Sequence, residues 1–393
     1  MNFLLTEDQQ RLQAMVAEFA QKEVAPLAEK LDREAKFPTE LFQRVGKLGI
    51  TAIPFEPEYG GMGLGTFEMV LALEELARAD QSLAVSTMVS VATGLTLMRF
   101  GSKHLKDTYL PAVVSGEKIC AIAGTEPNAG SDTAGFKTRG RNDGQKWKIN
   151  GEKAFITNGG TDITSFATVL VVTGEKPGGR KSFTLFLVPT GTPGFKVGAP
   201  YRKMGWHSSD TRPLYFDDCT LGAEMIVGEV DRGRHVLHRG YQQARLFLAA
   251  CSLGLAQASL DHSLTYAKER KAFGGPIGNL QLVQKMIADI ALKVDTARLL
   301  VYRAAWMADN GRASLKELAM AKLYATEIGS ECANLAIQVH GGWGFMDDCP
   351  VSRYLRDNRI CTIGDGSSQI QSLIIARELG LEPAFSPRAE SAA

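Results

Sequence analysis

Two segments of this 393-residue chain carry residue types that could hold a phosphate or a flat ring system. Residues 123–132 read AGTEPNAGSD, a turn-rich loop after a predicted strand that offers hydroxyls and backbone N–H groups. Such loops can bind a phosphate or the edge of a heterocycle, although an ordinary surface loop has the same composition. Residues 155–159 read FITNG, in which an aromatic side chain precedes a hydroxyl by two residues. This pair could flank a planar ligand, but a phenylalanine on a strand is more often part of the core.

Two further segments combine basic residues and glycines. Residues 269–274, ERKAFG, close a predicted helix, and Arg270 could make a bidentate contact to a pyrophosphate. The alternative is that Arg270 only complements the C-terminal end of a helix dipole. Residues 338–345, QVHGGWGF, hold three glycines in four positions, which allow a ligand to approach the backbone or simply end the preceding helix. Because the chain has no GxGxxG motif after a strand and no Walker loop, any nucleotide must be held by segments of this kind.

The period of the apolar residues changes twice along the chain. It indicates helices up to about residue 115, strands in the middle and long helices from Gly233 onward. The middle part includes a predicted hairpin with Asn150-Gly151 as its two-residue turn, followed by strands at 166–172, 183–188 and 214–216. The long C-terminal helices are predicted at 235–268, 280–310, 315–338 and 369–379. We therefore predict an α+β protein with an all-helical domain at 1–115, a β domain at 116–228, a helical domain at 229–380 and a tail at 381–393.

The charge balance and the cysteines argue against several classes of protein. The chain has 44 Lys+Arg and 43 Asp+Glu, a net charge of +1, so nucleic-acid binding is not predicted. Its six cysteines include no CxxC pair and no histidines cluster with them, so neither a metal site nor a disulfide framework is predicted. Reduced thiols and the lack of a signal-peptide pattern at residues 1–10 predict a cytoplasmic protein. No stretch is expected to be long enough to span a bilayer, so no integral membrane segment is predicted.

The four segments, in this order, are followed by RYLRD at 353–357 and DGSSQIQ at 365–371. Together they resemble the acyl-CoA dehydrogenase family, from about Thr6 to Gly380. The resemblance implies FAD as cofactor, an N-terminal α-helical domain, a middle β-barrel-like domain, a C-terminal four-helix bundle and a homotetramer. In the implied reaction, a carboxylate removes the proton α to the carbonyl of an acyl-CoA thioester, and the β hydrogen leaves as hydride to the flavin. An electron-transferring flavoprotein is the implied electron acceptor.

The resemblance also implies roles for individual residues. Thr125 and Thr157 would hydrogen-bond the flavin ring, and Phe155, where many members have Trp, would pack against it. Ser131 would contact the FAD pyrophosphate or the pantetheine arm of the substrate. The other implied FAD contacts are Arg270, Phe273 and Gln281 at the pyrophosphate and adenosine, Gln338, Gly341 and Gly342 from a neighbouring subunit, and Ser367 and Gln369 beside the catalytic position.

The implied substrate site departs from the family pattern at the base. Arg245 and Gly366 match residues near the acyl-CoA, but most members carry Tyr-Glu-Gly where this chain has Gly364-Asp365-Gly366. Asp365 keeps the carboxylate of the family's catalytic Glu on a side chain about 1.5 Å shorter. Ala244 occupies the second position at which some members place a base, so it offers none. Either Asp365 is the base in a rearranged pocket, or proton abstraction is altered or lost.

The short base and the small Gly364 leave more room beside the reacting carbon than a Tyr-Glu pair would. We therefore expect a branched or alicyclic acyl group, such as cyclohexanecarboxyl-CoA, to be a better substrate than a linear one. One alternative is a family relative with different chemistry, similar to nitroalkane oxidase, which uses an Asp as base and does not need CoA. Another is a flavin-bearing DNA-associated protein, which the near-zero net charge disfavours.

Overall fold

The computed structural model describes residues 4–381, so all but one residue of the predicted tail lies outside the described part. The N-terminal segment is helical, as predicted. A single π-helical turn, Ala20–Val24, joins its first two helices. Its helices are α1 (Glu7–Phe19), α2 (Ala25–Glu34), α3 (Thr39–Lys47), α4 (Thr66–Ala79), α5 (Gln81–Phe100) and α6 (Lys103–Val114).

Helix α5 forms the centre of the N-terminal segment because almost every residue along it is buried. Asp80 is the N-cap of α5, and its side chain accepts a hydrogen bond from the backbone N–H of Leu83 at 2.8 Å. By length and composition α5 could cross a membrane, so the expectation that no stretch reaches that length is wrong. Inside the protein, however, 78% of its most apolar window is buried. Within residues 4–381 no other helix meets the same criteria.

The middle segment forms one seven-stranded sheet. Its strand order is β1-β4-β2-β3-β7-β6, with β5 paired to β4. β1 pairs with β4 in parallel, whereas β3 pairs with both β2 and β7 antiparallel. The strands are β1 (Ile119–Ala123), β2 (Arg139–Asn142), β3 (Lys146–Thr157), β4 (Thr164–Lys176), β5 (Arg180–Pro189), β6 (Phe195–Val197) and β7 (Thr211–Gly222).

The predicted hairpin turn at Asn150-Gly151 is wrong, because β3 runs through both residues as one strand. The strand bulges here instead, since the register against β7 shifts between Ile149 and Gly151. Asn150 holds the bulge by donating to the Asp218 carboxylate at 2.9 Å and accepting from the Asp218 N–H at 2.9 Å. Gly151 is required for packing, because a Cβ there would lie 2.7 Å from the Cα of Thr138.

The C-terminal segment is a set of long helices with a small two-stranded ribbon between the first two. Helices α7 and α9 form the principal pair, α8 packs against both, and α11 packs on α9. The predicted order of helical, β and helical parts is confirmed, while the exact domain boundaries stay predictions. The elements are α7 (Gly233–Glu269), β8 (Lys271–Ala272), β9 (Gly275–Pro276), α8 (Gln281–Asp309), α9 (Leu315–His340), α10 (Pro350–Asn358) and α11 (Ser368–Glu378).

Candidate active site

The turn-rich loop after β1 is fixed to β3 by a buried ion pair. Lys153 is fully buried and donates from Nζ to the Glu126 carboxylate at 2.9 Å and to the Gly124 carbonyl at 3.0 Å. The same carboxylate accepts from the backbone N–H groups of Lys137 at 2.5 Å and Thr138 at 3.0 Å. Burial raises the pKa of Glu126, but Lys153 and the N–H donors outweigh it, so that pKa is lowered overall. Glu126 therefore serves to order the loop.

The three predicted flavin-ring contacts lie close to one another at the end of β3. The carbonyl of Thr125 accepts from the backbone N–H of Ala154 at 2.9 Å, which places Thr125 beside Phe155. The Phe155 side chain is 61% exposed and its backbone has a φ of +60°, so Phe155 is not part of the core. Thr157 is half-buried and pairs with Thr211 on β7. An exposed aromatic ring and two hydroxyl-bearing residues therefore lie together at the end of β3.

Asp365 lies in the turn between α10 and α11, where it faces α7 and α9. Burial raises the pKa of its carboxyl group, while the nearby cations Lys322 and Arg245 oppose that rise. The Arg245 Nε donates to the backbone carbonyl of Asp365 at 3.3 Å. Burial, with the charge of Asp365, also raises the pKa of Tyr241, so the phenol lies near the carboxylate. A desolvated carboxylate with a raised pKa is suited to act as a general base near neutral pH.

The backbone of the Asp365 turn is unusual. Asp365 has a φ of +51° and Gly366 a φ of +91°, and a non-glycine residue in this region is strained unless its surroundings hold it there. The N–H groups of both residues donate to no acceptor within residues 4–381. Ser367 caps α11 by accepting from the Ile370 N–H at 3.4 Å, and Gln369 in the first turn is exposed. The turn therefore offers two backbone donors next to a carboxylate.

Tyr241 connects the loop after β1 to the Asp365 turn. A Cβ built on Gly124 would lie 2.6 Å from the Tyr241 hydroxyl. A Cβ built on Gly130 would lie 3.9 Å from the Thr125 methyl carbon, so Gly130 lies beside Thr125. Ser131, the next residue of this loop, is exposed. Tyr241 thus lies between two groups of predicted residues: Thr125, Phe155 and Thr157 on one side, and Arg245, Asp365 and Gly366 on the other. We call the region between these two groups the cleft.

A second set of predicted residues lies at the far end of α7, around an open groove of about 810 Å³. Arg270 caps α7 with its backbone, and its exposed guanidinium has no partner within the described residues. Gly341 and Gly342 line the same groove, and a Cβ on either would meet no atom within 4 Å. Phe273 has a φ of +52° and is 93% exposed. These features leave a cation, an aromatic ring and bare backbone open to a ligand.

The two sets do not meet within one chain. Arg245 and Arg270 are 25 residues apart on one continuous helix, which corresponds to about 38 Å at the α-helical rise. Gln281 at the start of α8 and Gln338 in the last turn of α9 are both exposed. The structure therefore places Arg270 with the glycines at 341–342, at the opposite end of α7 from Arg245.

Three residues of the cleft were not identified from the sequence. Lys322 lies in the apolar face of α9, three residues before the buried Ala325 and four after the buried Leu318, and this break in the apolar period was a usable signal. Tyr241 and Gln371 carried no such signal, because their positions depend on how α7 and α11 pack. Within residues 4–381 no group of three His, Cys, Asp or Glu side chains could hold a metal ion.

Known proteins similar to this chain agree on one family. Acyl-CoA dehydrogenase N-terminal, middle and C-terminal domain models match residues 6–117, 121–219 and 231–380. The probable acyl-CoA dehydrogenase YngJ of Bacillus subtilis is 42% identical over 380 residues, which cover 96% of this chain and 100% of that protein.

Solved structures give the same result. Butyryl-CoA dehydrogenase from Megasphaera elsdenii superposes with a TM-score of 0.93 at 33% identity, covering 96% of this chain and 100% of that one. The prolyl acyl carrier protein oxidase AnaB superposes with a TM-score of 0.91 at 30% identity, covering 96% and 100%. This chain belongs to the acyl-CoA dehydrogenase family and is an FAD-dependent oxidoreductase.

Proposed function

We propose that Asp365 is the catalytic base of this enzyme and removes the proton α to the carbonyl of an acyl-CoA thioester. The observation that carries this proposal is the position of the Tyr241 phenol, which lies beside Gly124 of the loop that holds Thr125 and near the Asp365 carboxylate. Desolvation makes this carboxylate a stronger base than a solvated one. The N–H groups of Asp365 and Gly366, which have no acceptor within residues 4–381, would hydrogen-bond the thioester carbonyl and so make the α proton more acidic.

The residues of the chain fit FAD in both parts of the molecule. Thr125, Phe155 and Thr157 offer hydroxyls and an exposed ring to the flavin, and Arg270 offers an unpaired guanidinium to the pyrophosphate. The open backbone at Gly341 allows close approach of the adenosine half. When bound, FAD supplies the two-electron oxidation by accepting the β hydrogen. The protein aligns the Cα–Cβ bond between Asp365 and the flavin contacts and keeps water out of the cleft.

We propose two copies of the chain for each complete FAD site, because the flavin contacts and Arg270 are about 38 Å apart along α7. A stripe of apolar side chains on α8 supports this. Leu292, Leu299 and Trp306 recur every seven residues and are 69%, 50% and 49% exposed. A second copy would cover this stripe and bring its groove to the first copy's cleft. The proposed assembly is a tetramer built as a dimer of dimers, with an electron-transferring flavoprotein as acceptor and a cytoplasmic location.

The proposed substrate is a ring or α-branched acyl-CoA, such as cyclohexanecarboxyl-CoA. A Cβ built on Gly364 would approach only the Ile360 carbonyl, at 3.5 Å, so there is space where most family members carry Tyr. The shorter Asp365 leaves further room beside the α carbon. AnaB, by its name, oxidises a prolyl group, which is a ring, so a chain of this fold can take a cyclic acyl group.

Anaerobic flavin bleaching against a panel of thioesters tests the proposed function. We expect cyclohexanecarboxyl-CoA or an α-branched acyl-CoA to give a higher kcat/KM than a linear acyl-CoA of equal carbon number. A linear chain would leave contacts unmade, at about 0.8 kcal/mol per buried methylene. Faster reduction by butyryl-, hexanoyl- or octanoyl-CoA than by every branched and cyclic thioester would reject the substrate class. Reduction by nitroalkanes without any response to acyl-CoA would instead favour the nitroalkane-oxidase-like alternative.

A further inference from the structure

The turn that carries Asp365 is held by three side chains from three helices. The Asp365 carbonyl accepts from Arg245 Nε at 3.3 Å and from Gln371 Nε2 at 3.3 Å. The Gly366 carbonyl accepts from Gln371 Nε2 at 2.8 Å and from Lys322 Nζ at 2.9 Å. Two consecutive carbonyls thus receive four hydrogen bonds. This clamp explains how Asp365 can keep its left-handed backbone conformation.

Lys322 is the most unusual member of the clamp. Its side chain is fully buried, and its only hydrogen bond within residues 4–381 goes to the Gly366 carbonyl, which carries no formal charge. Gln371 already satisfies that carbonyl with a neutral amide. A buried ammonium group is costly unless a negative charge lies nearby, so hydrogen bonding to the carbonyl does not explain why a lysine is present.

The titratable groups around Lys322 and Asp365 identify the compensating charge. Tyr241, Arg245 and Cys251 face the pair from α7, Cys361 from the segment before the turn, and Glu327 from α9 itself. Only Asp365 and Glu327 are carboxylates. Glu327 accepts a short hydrogen bond from the Ser368 hydroxyl, so it already has a partner. The charge of Asp365 is the largest influence that raises the pKa of Lys322 against its burial.

We propose that Lys322 is the positioning residue of the catalytic base: it fixes the 365–366 turn and supplies the positive charge that keeps the Asp365 carboxylate ionised. This inference rests on the proposed role of Asp365 as base. An aspartate has one methylene, so its reach is set by its backbone and a rigid turn matters more than for a glutamate. The positive charge also offsets the burial that would otherwise protonate Asp365 and make it useless as a base.

The test compares Lys322→Gln, which keeps a donor but removes the charge, with Lys322→Met, which removes both. Anaerobic single-turnover flavin reduction is measured from about pH 5 to pH 9 with the faster of cyclohexanecarboxyl-CoA and butyryl-CoA. The plot of reduction rate against pH should fall off on its acid side because Asp365 becomes protonated. We expect this acid limb to move to a higher pH by about 1–3 units in both variants, because the carboxylate loses a nearby cation. Above about pH 8, where Lys322 itself loses its proton, the Lys322→Gln rate should approach that of the parent enzyme.

Lys203→Gln is the matched control. Lys203 is half-buried. Burial lowers its pKa to about 8 and it donates to the backbone carbonyl of Ser209, but Asp365 does not contribute to its pKa. The acid limb of the pH–rate profile of Lys203→Gln should coincide with that of the parent enzyme. If Lys322→Gln shows no shift, or if Lys203→Gln shows the same shift, the inference is wrong. If Lys322→Met does not fold, the pH profile of Lys322→Gln alone tests the inference.

A third variant, Asp365→Asn, separates a failure of the proposed function from a failure of this inference. Asp365→Asn is measured in parallel. If Asp365→Asn reduces its flavin at the parent rate, the base lies elsewhere and the proposed function fails. If Asp365→Asn is inactive while both Lys322 variants keep the parent pH profile, Asp365 remains the base and only the role of Lys322 is rejected.

Discussion

Three of the predicted site residues have a backbone conformation that is rare for their residue types. Phe155, Phe273 and Asp365 all have positive φ values, of +60°, +52° and +51°. Residues other than glycine rarely adopt a positive φ. Those that do are strained, and such strained residues are often found at functional sites. The sequence motifs predict all three as site residues. The coincidence of motif and strain supports their assignment to FAD and substrate contacts.

Arg270 gives a direct test at the residue scale. Arg270→Ala should weaken FAD retention by about tenfold or more, because a charge-assisted contact to a pyrophosphate contributes about 1.5–3 kcal/mol. The measurement is the FAD dissociation constant from fluorescence of released flavin. Arg11→Ala is the control, since Arg11 is exposed and, among residues 4–381, pairs only with Glu7 and Asp8 of its own helix. Equal FAD affinity in Arg270→Ala and the parent would show that Arg270 only caps α7.

Among the elements, the long helices were predictable and the loops that join them were not. Four C-terminal helices and the strands around residues 166–172 and 183–188 lie where apolar periodicity placed them. The turn at Asn150-Gly151 was wrong, because the pairing of Asn150 with Asp218 depends on β7, which is distant in sequence. Lys322 was missed for the same reason, since its role appears only when α9 packs against the Asp365 turn.

The loop after β1 depends on the Glu126–Lys153 pair, and this gives a test at the scale of an element. Lys153→Met should lower the free energy of unfolding by about 3–5 kcal/mol, because it leaves Glu126 buried without its cation. Chemical denaturation of the parent and variant measures the difference. Adding Glu126→Gln to Lys153→Met should recover part of the loss, since the amide can still accept from the Thr138 N–H. A stability unchanged by Lys153→Met would show that the pair contributes nothing to holding the loop.

At the scale of the whole molecule, one buried junction joins the three parts of the chain. Trp206, in the loop before β7, donates from its indole to Gln81 of α5 at 2.8 Å and from its backbone N–H to Asp357 of α10 at 2.6 Å. A Cβ on Gly205 would lie 2.3 Å from the Arg356 carbonyl, so the loop packs directly on the backbone of α10. Burial, reinforced by the charge of Asp80, raises the pKa of Asp357 to about 7.

This junction predicts how stability depends on pH. Because the pKa of Asp357 is raised from 3.8 to about 7 in the folded state, its contribution to stability is complete below pH 3.8 and is lost as the pH rises through 7. Asp357→Asn cannot ionise and can still accept from Trp206. Its Tm relative to the parent should therefore rise between about pH 4 and pH 7, by about 2–4 °C per kcal/mol, and stay constant above that. A Tm difference independent of pH in calorimetry would contradict this.

If two copies share each FAD site, as proposed, assembly and cofactor retention are coupled. Leu299→Glu places a charge in the exposed apolar stripe of α8, so it should dissociate the assembly and release FAD together. Analytical ultracentrifugation detected at the flavin absorbance measures both. Val230→Glu is the control, because Val230 is 47% exposed but precedes α7 and lies outside the stripe. A monomeric Leu299→Glu that retains one FAD per chain would show that each chain holds its cofactor alone.

The central claim is that Asp365, despite its short side chain, is the base. Its most direct test is anaerobic single-turnover flavin reduction by the best acyl-CoA of the panel, in the parent enzyme and in Asp365→Asn. We predict that the parent bleaches and that Asp365→Asn reduces its flavin at least about 100-fold more slowly, since a positioned general base contributes that much or more. FAD content and acyl-CoA affinity should be unchanged in the variant. Reduction by Asp365→Asn at a rate close to that of the parent would contradict the claim.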